Sequence, residues 1–525
     1  MWLCTVRLGE ISAQKGATTA TGSTGGFWIG LWGPDGRSVV SLGRTGGWRL
    51  WKHDSSLDQW QQTTAVGGHT REVHGIAWAK DGSYLLSTSA DQTTRLFGEW
   101  RRNVSSTSSY DAKNDNKTTS WHELSRPQIH GYDLNCVDVL NDNTFLSGAD
   151  EKLLRAFTEP KGVAGLLEQL SGVERASNSA LPELASIPVL GLSNKAIDTE
   201  SDINEATTAE ETEIDQAPSA DLKASTHMLS TPPTEDTLSR NLLWPEIEKL
   251  YGHGHEITAV ACQPSSSTHN SSLIATACRA SSADHAVIRL YDANNDWLEV
   301  KPPLKSHTLT VNRVRWSADG RWLASVGRGR EVVVWRLGGT VGQKQEMQMW
   351  AKLEKAHSRM ILDVSWAPQP GSPSSLEGKE TLVFATASRD KTVTIWRFTA
   401  EDETNTLHKV TTIAAEKPVM ALAFLPTVAV SGTLVLAYAI EDGAVFFAKL
   451  ARESLEVVDE VVKMPNEIAP AMAVSELAWR SKRSRQERNG EVANGQINGH
   501  EEKLHQLAVA SEDASLRIYS VDISV

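Results

Sequence analysis

The fold of this chain is decided by two strings, AHSRMILDVSWAP at residues 356–368 and LVFATASRDKTVTIW at residues 382–396. A Gly-, Pro- and Ser-rich insertion separates them. Apolar, β-branched and small residues predict strands over 361–366, 382–388 and 392–396. The last two strands are joined by the tight turn 389–391. In the third strand, Val and Ile alternate with Thr and Trp, which is the period-two pattern of a strand in a sheet.

Polar residues at fixed places make this stretch more specific than a generic sheet. His357 precedes the first strand, Asp390 lies in the turn, and Trp396 ends the third strand. This is the pattern of one blade of a WD-repeat β-propeller. Such a blade is tied together by a buried hydrogen-bonded tetrad of His, a hydroxyl residue, Asp and Trp. We expect His357, Asp390 and Trp396 to form that tetrad, with either Ser388 or Thr386 supplying the hydroxyl.

The same pattern recurs along the chain and predicts an all-β fold. Two segments, 67–97 and 130–157, carry tetrads of the same kind, the first with His69, Asp91 and either Ser87 or Ser89, the second with His130, Ser147 and Asp150. Phe97 and Phe157 stand in the Trp position there, so these tetrads lack one donor. A degenerate blade covers 27–51. Five further blades are predicted after residue 245, at 250–291, 305–335, 356–396, 417–448 and 473–519.

Residues 161–245 break the repeat and predict a connection between two propellers. Strand-like residues lie at 187–193, and the segment 198–232 is acidic and polar, a composition that cannot bury enough apolar area to order itself. We interpret it as a solvated linker or surface loop rather than an interaction tail. The predicted domains are therefore a partial first propeller of about three blades at 1–160 and a second propeller at 246–525, in which five blades are readable.

Bulk properties argue against a protein whose whole surface binds nucleic acid and against a membrane protein. The 525 residues carry a net charge of −13, which leaves room only for local basic patches. No apolar run is long enough to cross a membrane. The four cysteines, Cys4, Cys136, Cys262 and Cys278, form no C-x-x-C pair, so we expect reduced core thiols and neither a zinc site nor a disulfide framework. No cofactor is predicted.

Several strings go beyond generic blade packing because they include surface loops. They are DQTTRLF (91–97), WHELSRPQIHGYDLNC (121–136), SGADEKLLRAF (147–157), LGLSNKA (190–196), PPTEDTLSRNLLWPEIEKLYGHGHEI (232–257) and SSADHAVIRLYD (281–292). Together they resemble the family of double WD-repeat propeller subunits of the Elongator complex, over nearly the whole chain apart from the linker and insertions.

This resemblance implies a non-catalytic scaffold. Elongator modifies the wobble uridine (U34) of certain transfer RNAs, with the chemistry on a catalytic subunit that bears an iron–sulfur cluster and an acetyltransferase domain. The propeller subunit joins that subunit to the large scaffold subunit, which implies a cytoplasmic and nuclear location. Family members have two seven-bladed propellers, which implies a complete, seven-bladed second propeller here and makes the predicted three-bladed first propeller a departure. We interpret it as a truncated gene model or a fragment, which would leave an open sheet edge.

The residues predict no enzyme. The histidines at loop-to-strand junctions match the structural tetrads, and no H-E-x-x-H or phosphate-binding motif occurs. A propeller hydrolase would need clustered acidic or His residues at the starts of the inner strands, and we expect none. The alternative function is a stand-alone WD-repeat adaptor, such as a histone-binding protein or a ubiquitin-ligase substrate receptor.

A cluster of cations is the one functional feature that the pattern predicts. Loops before inner strands and turns between second and third strands share one face of a propeller. Five cations of two adjacent blades lie on this face: Arg328, Arg330, Arg359, Arg389 and Lys391. In the turn that carries Arg328 and Arg330, Gly329 replaces the tetrad Asp. We call these five residues the basic face. They are the candidate contact for transfer RNA phosphate or an acidic partner, the alternative being a solvated rim of scattered charges.

Overall fold

The computed structural model describes residues 8, 26–43, 46–102, 118–173, 181–182, 184–186, 195–197, 229–265, 272–338, 346–369, 380–400, 404–429, 432–481 and 504–523. Two helices are present in this part of the chain, α1 (Lys161–Ser171) and α2 (Glu235–Arg240). The strands are β1 (Phe27–Trp32), β2 (Ser38–Gly43), β3 (Trp48–Asp54), β4 (Gln59–Thr63), β5 (Val73–Trp78), β6 (Tyr84–Ser89), β7 (Thr93–Arg102), β8 (Thr118–Ile129), β9 (Leu134–Asn141), β10 (Thr144–Ala149), β11 (Leu154–Thr158), β12 (Leu184–Ser186), β13 (Lys195–Ile197), β14 (Glu246–Leu250), β15 (Ile257–Cys262), β16 (Leu273–Cys278), β17 (Val287–Asp292), β18 (Leu298–Lys305), β19 (Val311–Trp316), β20 (Trp322–Gly327), β21 (Val332–Gly338), β22 (Glu346–Leu353), β23 (Ile361–Trp366), β24 (Thr381–Ser388), β25 (Thr392–Thr399), β26 (His408–Ala414), β27 (Val419–Phe424), β28 (Thr433–Ile440), β29 (Val445–Ala451), β30 (Val462–Lys463), β31 (Val474–Trp479), β32 (Leu504–Ser511) and β33 (Leu516–Asp522).

Seven antiparallel sheets stand in a closed ring. The innermost strands contact one another in the order β5, β9, β15, β19, β23, β27 and β31, and β31 contacts β5 in turn. We number the sheets blade 1 (β5–β8), blade 2 (β9, β10, β11 and β14), blade 3 (β15–β18), blade 4 (β19–β22), blade 5 (β23–β26), blade 6 (β27–β30) and blade 7 (β31–β33). The chain therefore folds as a β-propeller, and the all-β class predicted from the sequence is confirmed.

Alternation along the strands explains why the blades stack. In β25, Val393 and Ile395 join an apolar cluster with blade 6, while Trp396 and Phe398 on the opposite face join a cluster that includes Trp322 of blade 4. A strand whose two faces are both apolar can be buried only between two neighbours. This is the arrangement that the ring supplies.

The predicted division into two propellers at residue 246 differs from this arrangement. Strand β14 pairs with β11, with Leu250 opposite Leu154, so 246–250 is the outer strand of blade 2. Residues 257–523 supply only five blades of the ring. Blades 1 and 2, which the sequence analysis assigned to a first propeller, supply the other two. Residues 161–245 are therefore an insertion within blade 2 and do not connect two propellers. The predicted strand 187–193 and residues 198–228 of the acidic segment lie outside the described residues.

Part of the insertion is built into the core. In α1, Val163, Leu166, Leu167 and Leu170 are buried against blades 1 and 2, and Trp244 joins the same cluster. Helix α1 is capped by Gly172, whose N–H donates to the Glu168 carbonyl and whose φ of 63° lies in the left-handed region that favours glycine. Neither described helix is long and apolar enough to span a membrane.

Two sheets of the described residues lie outside the ring, the short β12–β13 pair within the insertion and a larger sheet that precedes blade 1. Strands β1–β4 form a four-stranded meander that corresponds to the degenerate blade predicted at 27–51. It is fastened to the insertion by Arg49, which is 2% exposed and lies 2.8 Å from Asp236 of α2. All six residues of β1 are exposed, including Trp28 and Trp32. Of the predicted three-bladed first propeller, this sheet alone stands apart from the ring.

Blade 7 closes the ring with three described strands, whereas the other six blades have four. Its inner strand is bonded to blade 1 by the Trp78 indole N–H, which donates to the Ala478 carbonyl at 3.0 Å. The Ile76 N–H donates to the Glu476 carboxylate, also at 3.0 Å. These residues are 400 positions apart in the sequence, so closure joins distant parts of the chain.

Candidate functional site

The tetrad of blade 5 orders the turn that carries part of the basic face. His357 Nδ1 lies 3.0 Å from Asp390 Oδ2, and His357 Nε2 lies 2.8 Å from Thr386 Oγ1. The Trp396 indole N–H donates to the same Thr386 hydroxyl at 2.9 Å. Thr386 is therefore the hydroxyl member, and Ser388 is not. The Ser388 hydroxyl, at the end of β24, donates instead to the Met360 carbonyl at 3.1 Å.

Blade 1 has a tetrad without its indole. His69 Nδ1 lies 2.9 Å from Asp91 Oδ2, and His69 Nε2 lies 2.7 Å from Ser87 Oγ, so Ser87 is the hydroxyl member. Buried Arg95 adds a cation at 3.3 Å from the same Asp91 oxygen. Although burial alone would raise it, contacts with His69 and Arg95 hold the pKa of Asp91 well below its ordinary value.

In blade 2, the acid predicted for the tetrad is wrong by one position. His130 Nε2 lies 3.1 Å from Glu151 Oε1, while Asp150 is exposed and accepts a hydrogen bond from the Asn135 amide at 2.9 Å. The Ser147 hydroxyl is turned away too and donates to Gln128 Oε1 at 2.7 Å. A glutamate, one methylene longer, reaches the histidine from the next position in the turn.

Blade 4 keeps an acid as well, which corrects the interpretation of Gly329. The Glu331 carboxylate accepts a hydrogen bond from the Thr308 hydroxyl at 2.8 Å and lies 3.6 Å from His307 Nδ1. Burial opposes ionisation, but the nearby His307 and the hydrogen bond from Thr308 hold the pKa of Glu331 at about 2. A Cβ on Gly329 would stand 1.9 Å from that carboxylate, so glycine is required there to admit the glutamate. The turn has a full structural role.

Backbone hydrogen bonds bring the elements of the basic face together around one loop. The Ala356 N–H donates to the Arg330 carbonyl at 3.0 Å, which ties the loop before β23 to the β20–β21 turn. The Arg389 N–H donates to the Met360 carbonyl at 3.0 Å, which ties the β24–β25 turn to the other end of the same loop. Arg359 lies between these two points, so cations of blades 4 and 5 share one continuous surface.

The side chains of the basic face are available to a ligand. Four of the five are exposed and Arg330 is half-buried. Within the described residues, none of the five takes part in a salt bridge. The acids Glu331 and Asp363 have other partners, Thr308 and Arg313. Arg330 and Lys391 both have a φ of 70°, a left-handed conformation that costs a non-glycine residue about 1 kcal/mol. The β20–β21 and β24–β25 turns thus carry a cation where glycine would be less strained.

A second cluster of charges, not anticipated from the sequence, fills the central channel. Arg313 Nε of β19 lies 3.2 Å from Asp363 Oδ1 of β23. The Arg315 guanidinium contacts the Glu476 carboxylate of β31, three blades further round the ring. Asp363 and Glu476 are 1% and 3% exposed. The expectation that no acidic residues cluster on the inner strands is therefore wrong.

The channel carboxylates are committed to structural contacts. Asp363 also accepts the Leu422 N–H at 3.0 Å, and Glu476 accepts the Ile76 N–H. Burial raises the pKa of Asp363, although the positive charges of the two arginines oppose this. For Arg315, burial favours the neutral form, but the negative charges of Glu476 and Asp363 raise its pKa. The arrangement links non-adjacent blades and offers no free nucleophile with a base. In the described part of the chain, no group of three His, Cys, Asp or Glu side chains could hold a metal ion.

A sequence signal for this channel cluster exists. In blades 4, 5 and 7, the pairing of the inner strand with the second strand has a bulge before the third residue of the inner strand. That residue is Arg313 in blade 4, Asp363 in blade 5 and Glu476 in blade 7. In the other four blades the third residue is small: Gly75, Cys136, Ala259 or Ala421. Charged residues at one repeat position, with small residues at the same position elsewhere, indicate long side chains that meet on the axis.

Comparisons with known proteins agree with the repeat pattern. The family model described as "WD domain, G-beta repeat" matches residues 60–97 and 299–336. The chain is 40% identical over 524 residues to Elongator complex protein 2 of Saccharomyces cerevisiae, a match that covers 99% of this chain and 60% of the relative. The proteins of the same name from Schizosaccharomyces pombe and Rattus norvegicus are 38% and 31% identical, over 100% and 99% of this chain. The chain spans about 60% of the length of these relatives.

Proposed function

Because this chain is homologous along its whole length to proteins named Elongator complex protein 2, we propose that it is a non-catalytic scaffold subunit of an Elongator complex. Its partners in this proposal are the large scaffold subunit and the catalytic subunit with the iron–sulfur cluster and acetyltransferase domain. Through them it would support modification of the wobble uridine of transfer RNA, in the cytoplasm and the nucleus. The single observation that carries the proposal is this homology.

The described surface supports a scaffold role more than a catalytic one. The buried acids of the channel and of the tetrads are held in structural hydrogen bonds, and the five cations of the basic face have no salt-bridge partner among the described residues. A stand-alone adaptor would share the propeller fold, so fold alone does not separate the two functions. Partner identity does.

Affinity purification of the tagged chain from its native cells tests the proposal. We expect the large scaffold subunit and the catalytic subunit to be recovered with it, and cells that lack the chain to lose wobble-uridine modification. Recovery without either subunit, together with intact modification in the deletion, would contradict the proposal. Recovery of histones or ubiquitin-ligase components instead would favour the adaptor.

The basic face is the surface that we propose for contact with transfer RNA or an acidic partner. Replacing Arg328, Arg330 and Arg359 with Ala in the full chain should leave the melting curve almost unchanged, within about 0.5 kcal/mol per residue, because no ion pair is lost. Affinity for RNA or for the purified partner subunits should fall, and its salt dependence should weaken. Arg452, exposed on the opposite face after β29, supplies a control variant, Arg452→Ala. Unchanged affinity in the triple variant would leave the basic face a solvated rim.

A further inference from the structure

A pocket beside the basic face, between blades 3 and 4, has features that the scaffold role does not explain. It encloses about 380 Å3. Its lining combines two arginines, a histidine, a serine and two apolar residues, namely His255, Arg279, Ala280, Ser281, Leu309 and Arg328. The ring of His285 packs edge-on against that of His255, with 4.5 Å between the ring centroids. Positive and hydrogen-bonding groups thus converge on one recess.

The floor of the pocket is rigid. Thr310 is 4% exposed, and its hydroxyl donates to the Ala280 carbonyl at 2.8 Å and accepts the Ala280 N–H at 2.9 Å. This pair joins the turn of blade 3 to the loop that opens blade 4. The backbone of both arginines is fixed as well, because the Arg279 N–H donates to the Glu256 carbonyl at 2.8 Å and the Arg328 N–H to the Thr310 carbonyl at 2.9 Å. The backbone that carries the two arginines is therefore already in place before a ligand binds.

The positive charge of the pocket is only weakly neutralised. Arg279 lies 3.8 Å from Asp150, and both side chains are more than 40% exposed, a geometry in which an ion pair contributes little. Among the described residues, Arg328 has no salt-bridge partner. Two arginines that flank one recess can grip a single anionic group through several charge-assisted hydrogen bonds.

We propose that this pocket binds one anionic side chain, a carboxylate or a phosphate monoester, of an extended segment of a partner protein. Leu309, 37% exposed, offers the apolar contact that the stem of such a side chain needs. RNA fits less well, because single strands bind along grooves with open aromatic platforms. The rings of His255 and His285 are packed on each other instead. The pocket proposal shares Arg328 with the basic face but does not require the basic face to bind RNA.

The two anions can be told apart with minimal probes, O-phospho-L-serine and N-acetyl-L-aspartate, titrated calorimetrically into the full chain at constant ionic strength. The pocket variant is Arg279→Gln with His255→Gln. The control variant, Arg359→Gln with Arg389→Gln, removes two charges from the basic face and leaves the pocket intact. We expect at least one probe to bind the parent and the control variant alike, and the pocket variant about tenfold more weakly, the factor that corresponds to about 1.4 kcal/mol.

The probe that binds identifies the anion as phosphate or carboxylate. A second variant, Leu309→Glu, places a negative charge at the mouth of the pocket without touching the floor, and should abolish binding with an unchanged melting curve. The proposal would be overturned if each probe that binds the parent bound the pocket variant equally well, or if neither probe bound the parent. So would exclusive binding of a ten-residue oligouridylate. Recovery of Elongator subunits with the pocket variant is measured separately, so failure of the pocket proposal does not affect the scaffold proposal.

Discussion

At the scale of single residues, Asp390 concentrates more hydrogen bonds than the other members of its tetrad. Its carboxylate lies 3.0 Å from His357 Nδ1 and accepts the Ser358 N–H at 2.9 Å and the Thr392 hydroxyl at 2.6 Å. Although burial opposes it, these contacts lower the pKa of Asp390. The charged acceptor thus fixes both the turn and the loop that carry Arg389 and Arg359.

Replacing Asp390 with Ala should destabilise the propeller by roughly 2–4 kcal/mol, because His357 and a hydroxyl lose a buried charged partner. Thermal unfolding of the full chain measures this. Asp150→Ala is a matched control in the equivalent turn of blade 2, and because Asp150 is exposed we expect a change within about 0.5 kcal/mol. Equal melting temperatures of the Asp390→Ala variant and the parent would show that the tetrad contributes nothing.

His253 predicts a pH dependence with a definite sign. Burial, reinforced by the charge of Arg289, lowers the pKa of His253 from 6.5 to about 3. Between those values the unfolded chain binds the proton and the folded chain does not. This group therefore gives its full stability above pH 6.5 and loses it as the pH falls towards 3, by up to about 1.4 kcal/mol per pH unit. Denaturation curves at pH 7, 6 and 5 should show the slope, and His253→Gln should flatten it. An identical slope in the variant would contradict this account.

Sequence patterns identify the histidines of the tetrads better than their partners. Each histidine stands at a loop-to-strand junction, which the strand pattern locates well. Thr386 and Ser388 lie on the same side of β24, so alternation alone could not choose between them. Glu151 replaces Asp150 because the reach of a side chain across a turn depends on backbone geometry that adjacent acidic residues do not reveal.

At the scale of elements, the inner strands meet through charges across the channel. Glu476 of β31 contacts Arg315 of β19 and the backbone of β5. Glu476→Gln would leave arginine charge on the axis without its partner, and breaking a buried pair from one side costs roughly 3 kcal/mol or more. Chemical denaturation tests this, with Glu467→Gln, an exposed change in the loop before the same blade, as the control. Equal unfolding midpoints for the two variants would argue against a channel role.

Helix α1 provides a test of the corrected topology. Leu167 is fully buried beneath blades 1 and 2, so Leu167→Ala should cost about 2–5 kcal/mol of unfolding free energy. Glu168→Ala, on the exposed side of the same helix, should change it by no more than about 0.5 kcal/mol. If 161–245 were a solvated connection between propellers, both variants would melt like the parent.

The strands themselves could be predicted, and the long insertion could not. Blade 5 has its strands at 361–366, 381–388 and 392–399, close to the predicted ranges, because apolar alternation and a turn signal coincide there. Strand β14 was not recognised as the partner of β11, since 87 residues separate Thr158 from Glu246 in the numbering. Pairing across such a distance depends on tertiary contacts that local patterns do not encode.

At the scale of the whole molecule, the ring makes blades 1 to 7 a single folding unit. A fragment of residues 246–525 lacks blade 1 and all but the outer strand of blade 2. It would expose the apolar surfaces that blades 3 and 7 bury against them, including Ile274 and Ala508. We expect it to be insoluble or to unfold without a cooperative transition, whereas residues 64–525 should melt cooperatively. A monomeric 246–525 fragment with a sharp transition would support the division predicted from the sequence.

The sequence predicted eight blade-like segments and their order, and the structure contains all eight. The sequence analysis was wrong about which segments share a propeller, because it separated blades 1 and 2 from the other five. The five blades after residue 245 cannot close a seven-membered ring alone, and that shortfall was visible in the repeat count. The residues of the basic face belong to two repeats that are consecutive in the sequence, whereas the channel cluster joins repeats that are far apart.

The insertion within blade 2 has a consequence for how such chains can vary in length. The entropic cost of closing a flexible loop grows only with the logarithm of its length, so doubling a loop costs about 0.6 kcal/mol. Strands β11 and β14 pair, and α1 and Trp244 hold the two ends of the insertion against the core. The number of residues between these two ends can therefore change with little effect on the ring. Homologues with acidic stretches of very different length should therefore share one geometry and similar stability, and chain length would be a poor guide to propeller size.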